Sequence, residues 1–118
     1  MCSEIETQDM SNIPNEPSES DLRASIERAC QPTNVGLVLE GRARVSQLPR
    51  EWVEANIERI GRQSLNLNDY WEYGRFLELL EIVGAQALVQ QLTREGLQNP
   101  DADVREMAEC WAERTKSL

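Results

Sequence analysis

Histidine does not occur in this chain of 118 residues. The commonest general base and side-chain metal ligand is therefore missing, and with it the one side chain that ordinarily titrates between pH 5 and 8. No Ser or Cys stands in a nucleophile elbow, and no Gly-rich turn opens a helix as a phosphate cradle. Cysteine is scarce. Cys2, Cys30 and Cys110 are odd in number and widely spaced, which excludes a zinc knuckle or a redox pair. Free thiols in a reducing, cytoplasmic compartment are the expectation, with Cys110 on an apolar helix face and so in the core. No apolar run approaches the roughly 20 residues of a membrane span. The opening MCSEIETQDM lacks a basic stretch before an apolar one, so no secretory signal is read. Glu72, Glu78 and Glu81 fall on or near one helical pattern and read as a solvated face. No Glu-x-x-His pair accompanies them. No cofactor and no metal are expected, and the chain reads as a non-enzyme.

Positive charge is also in deficit. The formal net charge is -9. Residues 1–20 carry five acids (Glu4, Glu6, Asp9, Glu16 and Glu19) and no Lys or Arg, and so contribute -5; residues 21–118 hold 16 acidic against 12 basic residues and contribute -4. Clustered Lys and Arg for phosphate contacts are absent, so direct nucleic-acid binding is not expected. A basic protein partner fits the charge.

Residues 1–20 are rich in Ser, Asn, Glu and Pro, with Ile5, Met10 and Ile13 scattered among them. That composition buries too little apolar surface to offset chain entropy, and a disordered acidic tail is expected. A single helical domain over residues 21–118 follows. Ser20 or Asp21 is positioned to cap a first helix whose inward stripe is Leu22, Ile26 and Ala29, with Pro32 ending it. The segment NVGLVLEGRARVSQL, residues 34–48, fits both periods: Val35, Leu37 and Leu39 alternate like a strand, whereas Leu37, Val38, Gly41, Val45 and Leu48 fit a helix. No second strand is available to pair with it, so a short, poorly formed helix weakened by Gly36 and Gly41 is expected.

Stronger patterns follow. Pro49 suits a first turn, Val53, Ile57 and Ile60 form a buried stripe, and Glu58 with Arg62 makes a favourable i,i+4 pair. Asn68 can cap the next helix, with Asp69 behind it. From Tyr70 to Val83, nine of fourteen residues are apolar or aromatic, too many for one stripe, so this helix should be contacted on several sides. Gly84 suits the left-handed position beyond it. Four of the six aromatic residues, Tyr70, Trp71, Tyr73 and Phe76, crowd into it. Tyr70 or Tyr73 is expected to remain partly exposed as a binding anchor. A helix from about Ala85 to Leu97 precedes Asn99, a candidate cap, and a last helix with Val104, Met107, Ala108 and Trp111 inward. Asp101 and Arg105 stand four apart and can pair.

The stretch LVQQLTREGLQNPDADVREMAECWAE resembles a HEAT-type helical repeat. Leu88, Leu92 and Leu97 match the family's first helix, and Pro100, Asp101, Val104, Arg105 and Ala108 match its turn and second helix. The resemblance covers about 26 residues, against the ~40–47 of one repeat. It implies an all-α fold of about five helices in antiparallel hairpins, stacked in HEAT-like fashion behind the tail. In composition the chain is similar to small acidic bacterial immunity and inhibitor proteins, which implies a non-enzymatic module docking on one basic protein partner. A scaffold or adaptor subunit is the alternative, and an unrecognised enzyme the third reading. The candidate contact surface joins two acidic helix starts, Asp69 with Glu72 and Asp101 with Asp103 and Glu106, around Tyr70 and Tyr73 as anchors.

Overall fold

The computed structural model describes residues 17–116, with no strand among them. Six helices follow in order: α1 Glu19–Ala29, α2 Val35–Gln47, α3 Arg50–Ser64, α4 Tyr70–Val83, α5 Gln86–Leu97 and α6 Ala102–Lys116. The count exceeds the expected five because residues 34–48 form a full helix. Asn34 caps α2, its side chain accepting from the Leu37 amide at 3.0 Å. Gly41 lies against the α1 backbone at Ser25 and Ala29, where a Cβ would clash. Packing on α1 thus outweighs the low helix propensity of glycine.

Several ends differ by a residue or two from expectation. Ser18 caps α1, so helix begins at Glu19, inside the segment read as tail. The expected disorder of residues 1–16 lies outside the described residues. Pro49 sits at the cap of α3 rather than in its first turn. Gly84 adopts φ 80° beyond α4, as its sequence position suggests.

Side-chain bridges join alternate helices. Arg59 of α3 reaches Glu19 of α1 at 2.7 Å, and Arg62 of α3 reaches Glu95 of α5 at 2.9 Å. In the other row, Arg42 of α2 pairs with Glu78 of α4, and Arg114 of α6 with Glu81 of α4 at 2.7 Å. One row thus holds α1, α3 and α5, the other α2, α4 and α6. The Glu58–Arg62 pair expected on α3 is formed at 3.0 Å.

The core lies between the rows and centres on α4. Phe76 is fully buried, and its ring occupies the space a Cβ at Gly61 of α3 would need. Gly74 faces Met107 of α6, while Tyr73 meets α5. The expectation that α4 is covered on several sides holds. Val104, Ala108 and Trp111 are buried as read. Cys110 is not: it is exposed, because it lies about 100° around α6 from that stripe.

Candidate functional site

The turns before α4 and α6 meet. Asn99 Nδ2 donates to Asn68 Oδ1 at 2.8 Å, which sets the two helix starts side by side. Each start is built on an Asp cap preceded by an Asn. Asp69, not Asn68, caps α4 by accepting from the Glu72 amide at 3.0 Å. Asp101, not Asn99, caps α6 by accepting from the amides of Asp103 at 2.9 Å and Val104 at 3.1 Å. In both turns an Asn side chain orders the backbone leading into the helix: Asn66 Oδ1 accepts from Asn68 N, one residue before the cap Asp69, and Asn99 Oδ1 from the amide of the cap Asp101 itself. Carboxylates at these positions also complement the positive end of the helix.

The seven residues singled out from the sequence divide accordingly. Asp69 and Asp101 cap their helices. Glu72 folds back to accept from the Asn66 amide at 3.0 Å. Asp103 and Glu106 are exposed, one at the first turn of α6 and the other in the second. Tyr70 is half-buried and stacks edge-on against Trp71, with ring centroids 5.3 Å apart. Tyr73 is no anchor. It is buried, its hydroxyl donates to the Leu92 carbonyl at 2.9 Å, and burial pushes its phenol up to about 12. The helical wheel explains the correction, because Tyr73 shares its side of α4 with Phe76, Leu77 and Leu80 at spacings of three, four and seven. Arg105 turns to the carbonyls of Asn99 and Pro100, at 2.7 and 3.0 Å, and so braces the turn instead of pairing with Asp101.

Beside the joined turns is a shallow cleft lined by Leu67, Asn68, Tyr73, Leu92, Glu95 and Asn99, among others. Arg62 borders it and holds the Glu95 carboxyl below the ordinary carboxylate range through their hydrogen bond. Among the described residues no group of three His, Cys, Asp or Glu side chains is placed to hold a metal ion. Cys30 is buried, and desolvation first, then the charge of Glu72, pushes its thiol up to about 12, away from nucleophilic use.

The sequence reading missed the exposed aromatic. Trp71, not Tyr73, stands open to solvent, with 54% of its surface exposed. The signal was present: Trp71 shares its stripe with Arg75 and Glu78, at spacings of four and seven, and such a stripe cannot be the buried one. Among the described residues no helix is long and apolar enough to cross a membrane. Comparison with known proteins finds no match for the chain among family models, curated proteins or solved structures.

Proposed function

We propose that the chain is a non-enzymatic protein-binding module, a small acidic inhibitor or immunity-type protein that docks on a basic partner through the joined starts of α4 and α6. The Asn68–Asn99 hydrogen bond carries this reading, since it draws Asp103 and Glu106 of one helix towards Tyr70 at the start of the other. Exposed carboxylates around a half-buried aromatic match the acidic rim and anchor of such an interface. A HEAT-like stack of three hairpins is part of the same proposal. Bridges running from α1 to α3 to α5, and from α2 to α4 to α6, are what stacked hairpins require.

The test uses Asp103→Arg together with Glu106→Arg, because neither carboxylate caps a helix, whereas Glu72 is engaged with the Asn66 amide. Wild type and the double variant serve as parallel baits in the native host's lysate. A stoichiometric basic protein retained by wild type and lost from the variant, with both baits folded by circular dichroism, supports the proposal. Equal retention overturns the acidic-ridge assignment.

A further inference from the structure

Among the described residues, the large apolar side chains that remain exposed are Val35 and Leu39 of α2 and Trp71 and Ile82 of α4. They share one surface. On α2, residues 35, 39, 42 and 46 follow spacings of four, seven and eleven; on α4, residues 71, 75, 78 and 82 do the same. At 100° per residue each set spans about 60° of its helix. The Arg42–Glu78 ion pair, 36 residues apart, fixes the level at which the helices meet. Val35 is then level with Trp71, Leu39 with Arg75, and Ser46 with Ile82. A cleft lined by both Ser46 and Ile82 agrees with that register.

The remaining circumference of α4 is occupied, by Gly61 of α3 against Phe76, by α5 at Tyr73 and by Met107 of α6 at Gly74. At the centre of the open face, Arg42 and Arg75 converge on a single oxygen of Glu78, and both Nε atoms are buried without an acceptor. In this centre α2 carries one positive charge, Arg42, and α4 the mixed pair Arg75 and Glu78, so the two halves of the face complement each other when α2 of one copy lies over α4 of another.

We propose that this face is the contact surface between two copies of the chain. A twofold axis along the helices, between α2 and α4, lays α2 of one copy over α4 of the second. Arg42 then opposes the carboxylate at position 78 of the second copy, and Val35 opposes the indole at position 71. The same axis keeps the acidic α6 helices, with Glu106 and Glu109, at opposite edges. With helices packed 8–10 Å apart they are roughly 30 Å from each other, well beyond the ~8 Å screening length of physiological salt. A partner of single charge would meet repulsion from Glu78 or from the two arginines. The 13 residues of α2 and 14 of α4 are each about 20 Å long, and two helix widths add about 20 Å. That footprint of roughly 400 Å² falls below the ~800 Å² per partner of a standard interface, so the dimer is a weak one.

Sedimentation velocity on the full chain, from about 5 to 500 µM, tests it over the range of weak association. The weight-average mass of wild type is expected to rise towards twice that of the monomer. Leu39→Glu and Trp71→Glu should each weaken association at least tenfold, while Arg94→Glu on the other row leaves it unchanged. Both side chains are exposed, so the thermal transition of each variant serves as the folding control. A wild type that stays monomeric at the highest concentration overturns the proposal, even if a variant fails to fold. So does a dimer that survives both substitutions.

Discussion

The two rows of helices are stitched by the same chemistry in different surroundings. Between α1, α3 and α5 the bridging side chains are open: Arg59 and Glu19 are 46% and 52% exposed, Arg62 and Glu95 37% and 46%. Between α2 and α4 the arginines are sunk, Arg42 at 21% and Arg75 at 22%, with Nε atoms that have no acceptor. Exposed pairs are screened and contribute little, about 0–1 kcal/mol each. A sunken guanidinium deprived of its carboxylate cannot recover its lost water so readily. The first row is held chiefly by the apolar core beneath it. In the second, the ion pairs themselves constrain how the helices meet.

The largest effect should come from the core that both rows share. Phe76→Ala is expected to lower stability by about 3–5 kcal/mol in urea unfolding, the range for a buried aromatic truncated to alanine. A loss under about 1 kcal/mol would mean that the rows do not meet at Gly61. The contrast between rows is measured next. Glu78→Ala should lower stability by about 1–2 kcal/mol by leaving two half-buried arginines uncompensated, whereas Glu95→Ala should remain within about 0.5 kcal/mol. Equal losses would erase the distinction between the rows.

The smallest effect is a pH dependence that arises in the exposed row. Hydrogen bonds from Arg59 and Arg62 hold the carboxyls of Glu19 and Glu95 below the ordinary range. A depressed native pKa contributes stability that is present above the unfolded value near 4.3 and lost as pH falls through the native one. Wild type should therefore lose its margin over Glu19→Gln, and over Glu95→Gln, as urea midpoints are followed downward from pH 6. A margin that persists at pH 2 would show that these carboxyls act through contacts other than charge.

Helix existence was legible in the sequence wherever one period dominated. The stripe Val53, Ile57 and Ile60, the apolar density of α4 and Gly84 beyond it all fix helices by local geometry. Residues 34–48 were ambiguous because the deciding contact, Gly41 against α1, lies 12 residues or more from its partners at Ser25 and Ala29. Cys110 was misplaced because residue type was weighed above angular position on α6. Asp101 and Asp69 were recognised as helix-start acids, but which residue of each Asn–Asp turn makes the cap depends on backbone dihedrals. The same holds for the anchor: composition drew attention to the tyrosines, whereas the charged neighbours of Trp71 decide which aromatic faces water. The joining of the two starts through Asn68 and Asn99 is a tertiary contact across 31 residues and has no local signature.

The short reach of these bridges bears on how quickly the chain folds. The bond from Arg75 to the Pro32 carbonyl spans 43 residues, the Arg62–Glu95 bond 33 and the Tyr73–Leu92 bond 19. Loop-closure entropy grows only with the logarithm of such separations, and helical chains dominated by local contacts fold in microseconds to milliseconds. With its ring in the crease between α3 and α4, Phe76 closes a loop of only 15 residues on Gly61. The most closely packed neighbours, however, are α1 with α2 and α5 with α6, each pair joined by a turn of a few residues, so these two hairpins are the local units that α3 and α4 tie together.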